Sequence, residues 1–190
     1  MLGLLAGLLC TFALNAQFSE IHLDSGGEER ASELLVVGDR IMIAGSTTAG
    51  ATDRNNGLYH LLDLRGRLLH SKELNLDRRT FINASSGVND GEFMLGGWVN
   101  NFGLSDDMAF YRIDTAGTTV ASWRYGDFAD DEQVNAIARI DDNNFLAVGN
   151  IGSSNLATAL LIDSTGNLRW RRTRISPGRH HLLRRRFNCG

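Results

Sequence analysis

A chain of 190 residues, 43% hydrophobic and 22% charged, is long enough for one sizeable core and too mixed for a disordered or fibrous protein. Twenty-one glycines against one proline suit strands joined by tight turns. The formal charge of −3 hides an asymmetry: up to Leu168 there are 22 acidic and 11 basic residues, and the other eight basic residues, all Arg, fall between Arg169 and Arg186. The body is strongly acidic, which argues against nucleic acid as a partner.

The chain opens on an apolar run, Leu2 to Leu14, followed by Asn15, Ala16 and Gln17. The run is shorter than the ~20 residues that span a bilayer. It reads as the core of a secretory signal peptide over residues 1–17, cut after Ala16 or Gln17, although no Lys or Arg precedes it. Cys10 follows Leu9 rather than a small residue, which speaks against lipid attachment. Removal of the signal leaves Cys189 as the one cysteine, so no intrachain disulfide is expected. The expected location is secreted or cell-surface, with no membrane span in the mature chain.

Beyond residue 17 the sequence repeats. Gly45, Gly97 and Gly149 are 52 residues apart, each closing an apolar segment: Arg40–Gly45 (RIMIAG), Glu92–Gly97 (EFMLGG) and Asn144–Gly149 (NFLAVG). Asp63, Asp114 and Asp163 each open an Asp-x-x-Gly turn, in which Asp bonds backbone two residues on and Gly supplies a positive φ. Before each Asp lies a short apolar run (GLYHLL, MAFYRI, TALLI) of the kind found in buried strands. Residues 58–74 also have apolar positions near helical spacing, but Gly66 interrupts them where both sister units turn, so strands are expected there.

Each unit then divides into four strands: about 32–37, 40–47, 58–64 and 67–74; 80–88, 92–99, 107–114 and 118–125; 133–140, 144–151, 157–163 and 167–173. The segment Phe18–Leu23 aligns with Ser71–Leu74 and reads as a further strand supplied by the N-terminus. Four meandering strands per ~50 residues predict an all-β chain of about three antiparallel propeller-type blades over residues 18–174, in units of about 24–74, 75–125 and 126–174. Propellers close with roughly 4–8 blades, so three leave two raw blade faces, open to self-association. After Trp170 the pattern fades into an Arg-rich tail holding the only Pro. Residues 175–190 read as disordered or frame-shifted, which makes the chain a fragment of a longer propeller. His180 and His181 sit in this tail with no partner ligand nearby in sequence.

Two segments carry a family resemblance: Asp90–Gly97 (DGEFMLGG) and Ile162–Trp170 (IDSTGNLRW). They resemble delta-sixty-type and quinoprotein-like propeller repeats of secreted bacterial proteins, over about residues 18–170. The resemblance implies an exported or surface-anchored propeller, usually without assigned catalysis. Asp163–Trp170 is also similar to the tryptophan-docking motif of quinoprotein dehydrogenases, one residue shorter, in which the Trp pads against the neighbouring blade. In the other units Trp123 stands two residues later and His70 replaces the Trp, so an imperfect lock is expected. Pyrroloquinoline quinone would need a closed ring and a polar funnel, and no cofactor is expected.

The candidate chemistry is thin. Asp106 and Asp107, the group Asp127, Asp130, Asp131 and Glu132, and the pair Asp141 and Asp142 invite calcium, but none has the ligand spacing of a Ca²⁺ loop. They read as solvated turn residues. With 22 acids, a carboxylate pair for glycoside hydrolysis is always available and never singled out. His22, His60 and His70 lie in strand segments without a Ser or Cys partner motif. Trp98, beside a loop, suits stacking on a sugar or peptide, or packing between blades. No catalytic, cofactor or metal residue is assigned. The expected function is a non-catalytic binding or scaffolding module for a protein or glycan ligand, with the propeller domain of a glycan-active or quinone-dependent enzyme as the alternative.

Overall fold

The computed structural model describes residues 23, 27–48, 55–74, 79–89, 91–101, 105–126, 130–153 and 156–173. The signal segment, the strand expected from Phe18 (all but Leu23), the tail 175–190, and with them Cys10, His22, Asp127, His180, His181 and Cys189 lie outside the described residues. The described chain is all-β. Twelve strands run in order: β1 (Glu29–Val37), β2 (Arg40–Thr47), β3 (Asn56–Asp63), β4 (Leu68–Leu74), β5 (Thr80–Asn89), β6 (Glu92–Asn101), β7 (Ser105–Asp114), β8 (Thr119–Tyr125), β9 (Glu132–Arg139), β10 (Asn144–Ile151), β11 (Leu156–Asp163) and β12 (Leu168–Thr173).

They form three open four-stranded antiparallel meanders, β1–β4, β5–β8 and β9–β12, here blades 1, 2 and 3. β2 and β10 have the expected bounds, and residues 58–74 are a hairpin turning through Gly66 at φ 80°. The last expected strand, about 167–173, is β12, in which Arg171, Arg172 and Thr173 pair with Leu160, Ala159 and Thr158, so the blade pattern runs three residues past Trp170.

The repeated glycines have a sharper reason than ending a strand. A Cβ on Gly45, Gly97 or Gly149 would lie less than 3.0 Å from the backbone carbonyl of Arg30, Phe81 or Gln133 in the adjacent first strand. Each of those first strands is bulged at this point. The bulge pushes a carbonyl into space that only glycine leaves empty.

Strand alternation gives each blade two apolar faces. Phe93, Leu95, Val99, Tyr111 and Ile113 of blade 2 pack with Met42, Ala44, Tyr59 and Leu61 of blade 1. Met94, Met108 and Phe110, on the opposite face of blade 2, pack with Phe145, Ala147, Leu160 and Ile162 of blade 3. Each of the buried Leu, Ile, Phe, Met and Val side chains is worth about 1.5–3 kcal/mol over exposure, so the joints between blades supply much of the core. The first strand of the later blade makes the closest approach: β5 lies against β1, β2 and β3, and β9 against β5, β6 and β7.

Candidate functional site

Two features could bear function: the Asp-x-x-Gly turns at one end of the blades, and a cleft at the other end. The turns come first because the sequence singles them out. Asp163 Oδ1 accepts the backbone N–H groups of Thr165 (3.0 Å) and Asn167 (2.8 Å) and the Thr165 hydroxyl (2.7 Å). Burial pushes this carboxyl up, but those hydrogen bonds outweigh it and hold it well below the usual carboxylate range. Asp63 accepts the N–H groups of Arg65 and Arg67 at 3.0 and 2.9 Å, and the Arg67 N–H above all holds it low. Asp114 accepts those of Ala116 and Thr118. In all three turns the glycine has φ between 80° and 85°.

The preceding blade clasps two of these turns. The Tyr59 hydroxyl of blade 1 donates to the Gly117 carbonyl at 2.7 Å, and the His70 ring covers Gly117 so closely that a Cβ there would be 2.5 Å from Cδ2. The Tyr125 hydroxyl of blade 2 donates to the Gly166 carbonyl, Arg112 Nη1 donates to the Ser164 carbonyl at 2.6 Å, and the Trp123 indole covers Gly166. Burial pushes the hydroxyls of Tyr59 and Tyr125 up to about 12. The lock therefore closes despite uneven spacing. Trp123 pairs with Phe110, one pleat along from His70 opposite Leu61, and both reach the neighbouring glycine. These residues hold blades together, and their chemistry is spent on that task.

The cleft lies at the opposite end, where the blade-to-blade connections run. It has a volume of about 260 Å³ and is lined by Trp98, Asp106, Asp131, Glu132, Gln133, Asn150, Gly152 and Ser153 of blades 2 and 3. Trp98 stacks on Phe81 with ring centroids 4.4 Å apart and planes at 21°. Asp106 accepts Asn100 Nδ2 at 2.9 Å, and its backbone N–H donates to Asp131 Oδ1 at 3.1 Å. The Asp131 carbonyl accepts the Gly152 N–H at 2.7 Å, tying the next loop to the rim. The result is an aromatic wall facing carboxylate and amide groups.

The acidic residues divide by environment. Asp141 and Asp142 are exposed turn residues, as expected, with Asp141 Oδ1 accepting the Asn143 N–H at 2.8 Å. Asp107 and Glu132 are buried rather than solvated, contrary to the sequence reading. Glu132 pairs with Arg171 of β12, on the far edge of the same blade. Among the described residues no group of three or more His, Cys, Asp and Glu is arranged to hold a metal ion. His60 is buried in β3 with Nε2 3.7 Å from a Glu29 carboxylate oxygen, and His70 stacks on Tyr59. Among the described residues no helix is long and apolar enough to cross a membrane.

Sequence reasoning named Trp98 but not the company it keeps. Asp106 stands on the paired strand β7, whereas Asp131 and Asn150 reach it only through the approach of β9 to β6 and β7. The register offers one usable signal. Ser46, Trp98 and Asn150 are 52 residues apart and oppose Gly57, Met108 and Ala157. A large aromatic stands where the sister units place small polar residues. No family model matches the chain, and no curated protein is similar to it.

Proposed function

We propose that the chain is a non-catalytic, exported binding module of the propeller-repeat type, and that it holds an uncharged or basic glycan unit in the Trp98 cleft. The observation that carries this reading is the break in the repeat at Trp98. The Asp, Gly, Tyr and Trp residues of the repeat turns are consumed by turns and joints, whereas Trp98 brings to a loop-lined cleft an indole that the sister blades do without. An indole face accepts the C–H face of a sugar ring, and the flanking carboxylates and amides accept and donate hydrogen bonds to hydroxyls. The acidic lining disfavours anionic sugars and phosphates. The extracellular setting rests on the signal-like run at Leu2–Leu14.

A glycan-active enzyme is the second reading, favoured by the convergence of Asp106, Asp131 and Glu132 on one cleft. Glu132 is engaged by Arg171 and Asp131 by the Asp106 N–H, so both carboxylates already have partners within the protein. Screening the purified chain on an array of neutral, amino and anionic glycans tests the proposal. Retention of neutral or amino sugars that is lost in Trp98→Ala supports it. Equal retention by the variant, or turnover of the bound glycan, overturns it.

A further inference from the structure

On the reading of the Trp98 cleft as a glycan site, we infer that it selects a sugar bearing a free amine. The ammonium group sits between Asp106 and Asp131 while the ring lies on the indole. None of the residues lining the cleft is basic, and Asp106, Asp131 and Glu132 are acidic. Arg171 neutralises Glu132. Among the described residues, neither Asp106 nor Asp131 has a Lys, Arg or His partner.

The fold nevertheless brings these two carboxylates together beside the indole. Asp106 opposes Asn100, two residues along β6 from Trp98, so its side chain leaves the sheet on the same face as the indole. Asp131 precedes β9 and is fixed by the Asp106 N–H, which donates to its Oδ1 at 3.1 Å. Asn100 Nδ2 donates to Asp106 Oδ1 at 2.9 Å. One oxygen of each carboxylate is thereby engaged, and Oδ2 of each is left to accept from a ligand. Phe81 covers one face of the indole and braces it.

A ring seated on Trp98 displaces water from both carboxylates. A neutral sugar then leaves two charges without a counter-charge in a drier site, which costs free energy. An ammonium group offsets them, and its three N–H donors suit the two Oδ2 atoms. The indole face adds its own attraction for a cation within about 6 Å of the ring centroid. A bare metal ion fits less well, because a hard cation such as calcium takes about six or more oxygens.

The test is calorimetric titration of the full chain with three oligosaccharides of equal length and linkage, built from glucosamine, N-acetylglucosamine or glucose. The wild type is expected to bind the glucosamine oligomer about tenfold or more tighter than the other two, with the gap narrowing in high salt. Asp106→Asn and Asp131→Asn keep the oxygen that accepts the existing N–H bond, and circular dichroism checks their folding. Each is expected to remove most of the preference. Equal binding of the three oligomers, lost in Trp98→Ala, would overturn selection for the amine and leave the glycan site standing. An amine preference that survives both Asn variants, or no binding of the glucosamine oligomer, would also overturn the selection. Binding undiminished in Trp98→Ala would overturn the glycan site and the selection together.

Discussion

The Trp123 indole of blade 2 lies over Gly166 of blade 3 at a distance no side chain could share: a Cβ on Gly166 would come under 3.0 Å from Nε1. Gly166 also has φ 85° and gives its carbonyl to the Tyr125 hydroxyl. Sequence, backbone conformation and inter-blade packing thus meet at one glycine. Gly166→Ala is expected to cost about 2–4 kcal/mol, from backbone strain plus overpacking. Trp123→Ala costs about 2 kcal/mol through lost packing. Removing the indole makes room for the methyl group, so the double variant is expected to be more stable than the two losses summed, by about 1 kcal/mol. Urea unfolding of the four proteins measures this.

The bulge glycines make a different prediction. In Gly97→Ala the new methyl meets the Phe81 carbonyl, which is backbone and cannot swing away. A loss of about 3 kcal/mol or more is expected. In Gly91→Ala the nearest atom is Asn89 Oδ1 at 3.6 Å, an ordinary contact. That variant should stay within about 0.5 kcal/mol of wild type. Thermal unfolding distinguishes the two.

Stability should fall at both ends of the pH scale. The folded-state values of Asp63, Asp141 and Asp163 are held low, so their contribution is full above the ordinary carboxylate range, about pH 4. It is lost as pH drops through the folded-state values. Tyr59, Tyr111 and Tyr125 are raised from 10.0 to about 12, chiefly by burial. Between those values the unfolded chain releases protons that the fold retains, so stability declines from pH 10 towards 12. Urea midpoints across the pH range check both limbs. Asp163→Asn should flatten the acid limb and Tyr59→Phe the alkaline one.

The fold was legible because each repeat position has a local cause that sequence displays. The Asp-x-x-Gly turns are local chemistry, and β2 and β10 fall where the apolar runs place them. The glycines at 52-residue spacing were visible, but their reason was not, since the carbonyl that needs the space belongs to another strand. Glu132 reads as a solvated acid until Arg171 of β12 arrives beside it. The cleft was legible only in part, as Trp98 and its neighbour Asp106 on the next strand, because Asp131 and Glu132 come from a segment more than 30 residues on that the fold brings across a blade joint.

The most direct measurement is a calorimetric titration of the full chain with the neutral or amino glycan best retained on the array, comparing wild type, Trp98→Ala, Asp106→Asn and Trp123→Ala. The account predicts that Trp98→Ala loses about tenfold in affinity, roughly 1.4 kcal/mol. Asp106→Asn should lose less, and Trp123→Ala, destabilised yet folded, should bind as wild type. Undiminished binding by Trp98→Ala, or a loss confined to Trp123→Ala, would contradict the assignment of the Trp98 cleft as the ligand site.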